Sequence, residues 1–325
     1  MADIQAFGER VIQNLEKVII GKRDTLELIV VGLLCQGHIL IEDVPGVGKT
    51  MLARSLARSL DCSFNRIQFT PDMLPSDFTG VSIYNQQKGK FEFRAGPIIG
   101  QIILADEINR ATPKTQAALL EAMEEHQVTV DGVTHILPRP FMVLATQNPI
   151  EYEGTFPLPE AQLDRFLLRV RLGYPEYTDE IKILDSQRLK HPIEGLKSVA
   201  TEKEVLAAAE AIKSVFVSPA VKRYVTDLTR RTRQSGDIYL GASPRGTLAL
   251  SRAAQAHAAM AGRSHVLPDD VKDVAVAVLG HRIIVSPAAR LRELSADRIV
   301  QEIVHNTPAP GGEFQSVPVT GKKSK

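Results

Sequence analysis

The chain has 325 residues, of which 44% are hydrophobic and 24% are charged, and these proportions are typical of a globular protein with about two domains. A net charge of +1 and the lack of Trp argue against a nucleic-acid partner, because phosphate binding favours a basic excess and base stacking favours aromatic residues. The longest apolar run, residues 28–35, is far shorter than the roughly 20 residues of a membrane span, and the first residues lack the pattern of a secretory signal. We therefore expect a cytoplasmic protein with no membrane span.

Short apolar runs alternate with helical patterns over roughly the first 175 residues. The runs are almost unbroken and rich in Ile, Leu, Val and Phe, as expected of strands that are covered on both faces. Helices with an apolar stripe are predicted at 49–60 and 112–125. This alternation predicts an α/β fold with a parallel sheet, whose strands are 38–42, 66–69, 102–106, 141–146 and 167–171.

One segment departs from this alternation. Residues 128–136 alternate with a period of two around Asp131-Gly132, and this pattern is the strongest short-range signal for a β-hairpin. We expect the hairpin as an insert between the helix 112–125 and the strand 141–146.

From about Thr201 onward the pattern is only helical, which predicts a second, all-α domain with helices at 202–215, 219–232, 244–260 and 268–279. Residues 306–325 are rich in Pro, Gly and Lys and are predicted to be a disordered tail. We therefore divide the chain into an α/β domain (1–190), a helical domain (191–305) and the tail (306–325).

A glycine-rich segment, residues 43–50, joins the first predicted strand to the helix that follows it. This is the context of a phosphate-binding P-loop, in which Gly46 and Gly48 let successive backbone amides point at phosphate oxygens. Lys49 would reach the β- and γ-phosphates, and the Thr50 hydroxyl would ligate Mg²⁺. Asp43 stands where the P-loop pattern has its first Gly.

A carboxylate pair ends the buried strand 102–106. Asp106 would hold Mg²⁺ through its water shell, and Glu107 could polarise a water molecule that attacks the γ-phosphate. Together with the P-loop, the pair indicates nucleotide hydrolysis rather than passive binding.

Three further polar residues are candidates for the same chemistry. Asn148 follows the strand 141–146 and could orient a water molecule, although an Asn-Pro turn is an equally good explanation. Arg165 precedes the last strand and could stabilise phosphate charge, although a surface arginine in a loop is by itself the favoured explanation. Arg245 begins a helix of the second domain, where a solvated helix start is the usual explanation.

In this order, these motifs resemble those of AAA+ ATPases. Four segments are similar to motifs of the MoxR family within that class: 69–77, 93–97, 106–111 and 158–166. The resemblance covers residues 10–305 and implies a P-loop AAA+ core with a five-stranded sheet of order 5-1-4-3-2, inserts in helix 2 and at the 128–136 hairpin, and a helical lid. It also implies that ATP is bound where subunits meet in a hexameric ring, with the hairpin facing the pore.

The resemblance assigns roles to individual residues. Asn148 resembles sensor 1, Arg245 resembles sensor 2, and Arg165 resembles the arginine finger that acts on a neighbour's ATP. The implied catalytic residues are Glu107, Lys49, Asn148, Arg165 and Arg245, and the implied metal ligands are Thr50 and Asp106. The implied contacts to ATP are Ile20, Gly21, Val44, Pro45, Gly46, Val47, Gly48, Lys49, Thr50 and Met51.

The family further implies a chaperone-like ATPase that remodels protein clients, often with a partner protein that bears a von Willebrand factor A domain. Two other functions remain open: a motor for nucleic acids or transcription complexes, and the ATPase subunit of a metal chelatase. A nucleotide-dependent scaffold without turnover is disfavoured by the presence of Asp106, Glu107 and Arg165.

Overall fold

The computed structural model describes residues 3–149, 154–188 and 190–310. The strands are β1 (Ile39–Glu42), β2 (Phe64–Gln68), β3 (Gly80–Asn85), β4 (Lys90–Ala95), β5 (Ile102–Asp106), β6 (Gln127–Val130), β7 (Val133–Ile136), β8 (Met142–Gln147), β9 (Leu168–Val170), β10 (Ile238–Leu240) and β11 (Ile284–Val285). The helices are α1 (Ile4–Glu16), α2 (Arg23–Leu34), α3 (Lys49–Ser59), α4 (Pro75–Thr79), α5 (Pro113–Glu125), α6 (Glu160–Leu163), α7 (Tyr177–Ser186), α8 (Glu202–Ala211), α9 (Pro219–Thr232), α10 (Pro244–Met260), α11 (Pro268–Leu279), α12 (Pro287–Leu291) and α13 (Ala296–His305).

The central sheet has five parallel strands in the order β2-β5-β8-β1-β9. Counted along the chain, this is the expected order 5-1-4-3-2 read from the other edge, so the prediction is confirmed. Each strand also lies within two residues of its predicted bounds at both ends. The buried runs of β1, β5 and β8 explain why their sequences are apolar without alternation.

Successive residues of each strand point to opposite faces of the sheet and pack into two separate hydrophobic cores. Ile39 and Ile41 point into a core that contains α1, α2 and α3 and continues into the helices of the second domain. Leu40 and Ile103 point to the opposite face, where α5 covers the sheet. Among the described residues, the apolar core of the second domain is therefore continuous with only the first of these two faces.

Two β-hairpins project from the core. The hairpin β6–β7 pairs Val130 with Val133 around Asp131-Gly132, as predicted. The insert between the second and third strands of the sheet is a second hairpin, β3–β4, which pairs Gly80 with Ala95. The rings of Phe93 and His135 stack at 3.7 Å and join the two hairpins.

The second domain consists mainly of the helices α8 to α13. The bounds of α9, α10 and α11 are those predicted, whereas the helix predicted at 202–215 ends at Ala211 and continues as a 3₁₀ turn. Ser218 and Ser243 cap α9 and α10, and each precedes a proline that suits the first helical position. The sequence did not predict the short antiparallel pair β10–β11 beside these helices.

Two further observations concern the predicted tail and the length of the helices. The predicted tail, 306–325, lies outside the described residues from position 311 onward. Among the residues that the structure describes, no helix is both long and apolar enough to cross a membrane.

Candidate functional site

The P-loop lies between β1 and α3, as the sequence predicts. Gly46 and Gly48 have φ values of 87° and 94°, in the left-handed region that side-chain-bearing residues avoid. Gly48 precedes the first residue of α3, and no side chain caps the helix there. The first amides of α3 are therefore available to an anion, with the positive end of the helix dipole behind them.

Asp43, which stands in place of the usual first glycine of the P-loop, forms hydrogen bonds that hold the start of the loop. Its carboxylate accepts hydrogen bonds from the amides of Leu172 (2.6 Å), Gly173 (2.7 Å) and Val44 (3.0 Å). Its own carbonyl oxygen accepts a hydrogen bond from Lys49 Nζ at 2.8 Å. Asp43 thus fixes the start of the P-loop to the segment that follows β9.

Asp106 ends β5 with a buried carboxylate that already has two polar neighbours. Its Oδ2 atom accepts hydrogen bonds from Arg66 at 2.7 and 3.1 Å, and its Oδ1 atom accepts one from Thr146 Oγ1 at 2.6 Å. This pairing orients the carboxylate and leaves it suited to hold a cation through water rather than directly.

Glu107 has a backbone conformation that is unusual for a residue with a side chain. Its φ and ψ are 59° and 47°, in the left-handed region, and such strain is concentrated at functional sites. Its Oε2 atom accepts a hydrogen bond from Gln68 Nε2 at 2.8 Å and forms an ion pair with Arg110 at 3.2 Å. Gln68 is not among the predicted site residues, although its place at the end of the strand beside β5 is a usable signal.

Two further candidate residues, Asn148 and Gly21, lie at the same end of the sheet as the P-loop and follow β8 and α1. Asn148 is buried directly after β8, and its carbonyl oxygen lies 3.5 Å from Asn109 Nδ2. Gly21 follows the half-buried Ile20 and has a φ of 72°. A Cβ atom at Gly21 would collide with the Asp179 carboxylate, so only glycine fits there. We call this edge, at the carboxyl ends of β1, β5 and β8, the P-loop edge.

Arg165 and Arg245 lie together, but not at the P-loop edge. Arg165 Nη1 lies 2.9 Å from Glu124 Oε2, and Arg245 Nη2 lies 2.8 Å from Glu124 Oε1. Arg165 also donates a hydrogen bond to the carbonyl oxygen of Leu120, at 2.7 Å. One carboxylate at the end of α5 therefore joins an arginine of the α/β domain to an arginine of the helical domain. We call this region the arginine edge.

The P-loop edge and the arginine edge lie at opposite ends of the strands of the sheet. Leu167, two residues after Arg165, donates its amide to the carbonyl oxygen of His38, at the start of β1. The P-loop begins five residues later, at Asp43, and five residues of strand span about 16 Å. The structure thus brings together Lys49, Thr50, Asp106, Glu107 and Asn148, and it separates Arg165 and Arg245 from them.

The P-loop edge offers oxygen donors of the kind that Mg²⁺ prefers. The Thr50 hydroxyl has no hydrogen-bond partner within residues 3–149, 154–188 and 190–310, and Asp106 lies two strands away. No group of three or more His, Cys, Asp or Glu side chains that could hold a metal occurs in the part of the chain that is described. With Thr50 and Asp106 as the protein's oxygen donors, phosphate oxygens and water would complete the shell of a bound Mg²⁺.

Comparisons with known proteins agree with this geometry. A family model described as "ATPase family associated with various cellular activities (AAA)" matches residues 38–168, and a model of the AAA lid domain matches residues 230–303. Chaperone MoxR1 of Mycobacterium tuberculosis is 39% identical to this chain, over 96% of this chain and 84% of MoxR1. The uncharacterized protein YeaC of Bacillus subtilis is 49% identical over 95% of this chain and 96% of its own length.

A solved structure shows that the likeness extends to the fold. The crystal structure of a Cytophaga hutchinsonii protein assigned as an ATPase superimposes with a TM-score of 0.86 and 38% sequence identity. The match covers 94% of this chain and 97% of that protein. The likeness therefore includes both the α/β core and the helical domain.

Proposed function

Because the chain belongs to the MoxR family of AAA+ ATPases, we propose that it hydrolyses ATP to ADP and phosphate and uses this cycle to remodel protein clients. The observation that carries the proposal is the strained Glu107, held beside Asp106 on the same edge as the P-loop. A buried strand that ends in two carboxylates next to an anion-binding helix start suits phosphoryl transfer to water.

In this proposal, the P-loop edge binds the nucleotide. The amides of residues 44–51 surround the phosphates, Lys49 neutralises the β- and γ-phosphates, and Ile20 and Gly21 contact the adenine. Mg²⁺, when bound, would neutralise phosphate charge, with Thr50 as a direct ligand and Asp106 acting through water. Glu107 orients and deprotonates the attacking water, and Asn148 helps to position it.

Arg165 and Arg245 act in this proposal on the ATP of a neighbouring subunit. Since both lie at the other end of the strands from the P-loop of their own chain, with about 16 Å of β1 between the two ends, a head-to-tail ring is the simplest arrangement that gives them a substrate. Such a ring, here proposed to be a hexamer, completes each site from two chains. Each arginine keeps further N–H donors beyond those that bind Glu124 and, for Arg165, the carbonyl oxygen of Leu120, and these remaining donors suit phosphate oxygens.

The client is proposed to be a protein in the cytoplasm. MoxR1 is named a chaperone, and the two joined hairpins of this chain expose apolar side chains, among them Phe91 (71% exposed) and Ile136 (79% exposed). We propose that the hairpins face the pore of the ring and contact the client there, with a von Willebrand factor A domain protein as a partner. A net charge of +1 gives no basic field that would favour a nucleic-acid motor.

The substitution Glu107→Gln tests the hydrolytic role. It keeps the size of the side chain and removes the base, so we expect nucleotide binding to persist while kcat falls by about 100-fold or more. The matched control is Glu121→Gln, an exposed glutamate on α5, which should leave kcat unchanged. Steady-state ATPase rates and fluorescent-nucleotide binding measure both effects. An E107Q protein that hydrolyses ATP at the wild-type rate would exclude this role.

A further inference from the structure

Helix α7 presents an apolar stripe to solvent. Tyr177, Ile181 and Leu184 follow one another at helical spacing on one face and are 79%, 44% and 74% exposed. Three exposed side chains of this size on a ten-residue helix are more than a scatter of single apolar residues. The stripe is therefore a candidate interaction surface.

Acidic side chains flank this stripe. On a helical projection, Glu180 lies on one side of the stripe and Asp185 on the other, and both are exposed. Neither forms an ion pair with any residue that the structure describes, whereas the basic Lys182 is paired with Asp179 at 2.8 Å. We call the five residues Tyr177, Glu180, Ile181, Leu184 and Asp185 the α7 face.

Helix α10 presents a face of the opposite charge. Arg245, Leu248 and Arg252 lie at i, i+3 and i+7, and Leu248 is 62% exposed. Arg252 is exposed and its guanidinium has no hydrogen-bond or ion-pair partner in residues 3–149, 154–188 and 190–310. We call these three residues the α10 face.

A cavity next to the α10 face adds to its positive charge. The cavity has a volume of about 320 Å³, and its charged lining residues include four arginines but only two acids, Glu124 and Asp164. Glu124 is shared by Arg165 and Arg245, and Asp164 is paired with Arg282 at 2.8 Å. Of the four arginines that line this cavity, Arg252 is thus the one without an acidic partner among the described residues, and it can pair with an acidic side chain of another chain.

The two faces belong to opposite edges of the molecule. The α7 face lies at the P-loop edge, since Asp179 of α7 sits against Gly21 and the chain reaches α7 directly from the segment that Asp43 holds. The α10 face lies at the arginine edge, because Arg245 contacts Glu124 there. A head-to-tail interface brings one edge of a subunit onto the other edge of its neighbour.

We propose that the α7 face of one subunit docks on the α10 face of the next copy of this chain. The inference rests on the proposed function, in which ATP is bound between subunits. Leu248 packs on the stripe of Tyr177, Ile181 and Leu184, and the charges around them pair across the interface. Pairing of two α7 faces with each other is disfavoured because it opposes like charges. An apolar centre with a charged rim is the usual composition of such an interface.

Charge reversal tests this interface. Arg252 lies one turn after Leu248, and Glu180 lies one turn before Leu184, so each is the unpaired charge nearest to the apolar centre of its face. We expect Arg252→Glu and Glu180→Lys each to raise the concentration needed for half-assembly by about tenfold or more, because like charges then meet. The double variant R252E/E180K, which restores opposite charges in every interface, should assemble within about threefold of wild type.

The measurement is sedimentation velocity over a concentration series, with a non-hydrolysable ATP analogue present. Arg223→Glu is the matched control, since Arg223 is an exposed arginine on α9 and should not change assembly. Tyr177→Ser with Leu184→Ser should weaken assembly without affecting nucleotide binding by the monomer.

Three results would overturn the inference, and they differ in what they say of the proposed function. The first is that the wild type assembles and the single charge variants assemble equally well. The second is that R252E/E180K assembles no better than either single variant. In both cases the α7–α10 interface is wrong while the shared ATP site stands. If the wild type stays monomeric with the analogue bound, both the interface and the shared site are wrong.

Discussion

At the scale of the residue, Asp43 shows how one side chain substitutes for a missing glycine. The first residue of a P-loop is usually a glycine, which has no side chain to bind neighbouring groups. Asp43 instead uses its carboxylate to bind the amides of Leu172 and Gly173. Asp43 is only 7% exposed, so water cannot readily replace these bonds. The carboxylate therefore stabilises the fold and also positions the loop that is proposed to bind phosphate.

Removing the Asp43 carboxylate tests this dual role. In Asp43→Ala, the amides of Leu172 and Gly173 lose their acceptor, which should lower the free energy of unfolding by about 2 to 4 kcal/mol and raise the KM for ATP. Asp43→Asn is the control, because its amide oxygen still accepts a hydrogen bond and should retain about half of the stability. Urea unfolding and ATPase titrations measure the two effects. A D43A protein as stable as wild type would contradict this account.

His38 is a buried histidine at the start of β1 whose ring must stay neutral. Its Nδ1 atom accepts a hydrogen bond from the amide of Val143 at 3.0 Å, and its Nε2 atom donates one to the carbonyl oxygen of Met123 at 2.9 Å. Burial is the main reason that the pKa of His38 is lowered from 6.5 to about 4; the hydrogen bond to Met123 opposes this shift, and the neighbouring His126 adds to it. Protonation would place a second N–H group against the Val143 amide.

This arrangement predicts a loss of stability in mild acid. Between pH 6.5 and pH 4 the unfolded chain binds a proton at His38 and the folded chain does not, so stability falls as the pH falls. Between pH 7 and pH 5 the free energy of unfolding should decrease by about 2 kcal/mol more in wild type than in His38→Gln. Urea unfolding at the two pH values measures this difference. Equal pH dependence in the two proteins would refute the assignment.

At the scale of the element, an ion network ties the end of β1 to the helical domain. Arg171 binds Glu42 at 2.6 Å and Asp297 at 3.0 Å, and Arg169 binds the same two carboxylates. Burial raises the pKa of Glu42, but the two arginines outweigh this effect and hold the pKa below its ordinary value. Because Asp297 belongs to the first turn of α13 and Glu42 precedes the P-loop, the network links the nucleotide site to the helical domain.

Breaking this network should loosen the contact between the two domains. Since its carboxylates and Arg169 are largely shielded from solvent, Asp297→Ala should lower the free energy of unfolding by about 1 to 2 kcal/mol, with a smaller loss in 1 M salt. The control is Asp269→Ala, which removes an exposed ion pair to Lys272 and should cost about 0.5 kcal/mol or less. Faster amide exchange in α13 of D297A, but not of D269A, would support the link. An equal loss in both variants would contradict it.

The strands of the sheet and the hairpin β6–β7 were predictable, whereas the hairpin β3–β4 and the pair β10–β11 were not, for a physical reason. The strands β1, β5 and β8 are buried on both faces, so their apolar runs stand out from the flanking turns. The hairpin β3–β4 turns without an Asn-Gly or Asp-Gly pair, although the alternation Phe91-Glu92-Phe93-Arg94 is a signal for β4 that could have been used. The strand β11 has two residues, too few for any period to show.

At the scale of the whole molecule, the candidate site is divided between two edges. The P-loop and the carboxylate pair were predictable because each is a local motif at the end of a strand. The meeting of Arg165 and Arg245 at Glu124 was not, because three residues far apart in sequence converge only through the packing of the helical domain on the core. The resemblance assigned both arginines a role in ATP chemistry, and the geometry gives them a common location away from their own P-loop.

This division makes each active site of the proposed ring the product of two chains. A chain with Arg165→Ala keeps its P-loop and Glu107, and a chain with Glu107→Gln keeps its arginines. Each variant alone should be nearly inactive, because an arginine finger contributes about 10³ to 10⁵ in rate and a general base about 10² to 10⁴.

The most direct test of the shared site is therefore the ATPase rate of R165A and E107Q mixed in equal amounts. If the rings mix at random, about one interface in four joins an intact Glu107 to a neighbour's intact Arg165, so the mixture should recover about a quarter of the wild-type rate per chain. A mixture of Arg223→Glu with E107Q controls for inhibition of intact sites by neighbouring E107Q chains, and it should give about half of the wild-type rate. A mixture of R165A and E107Q that is no more active than the sum of its parts, although energy transfer between labelled chains shows that the two variants share rings, would contradict the account.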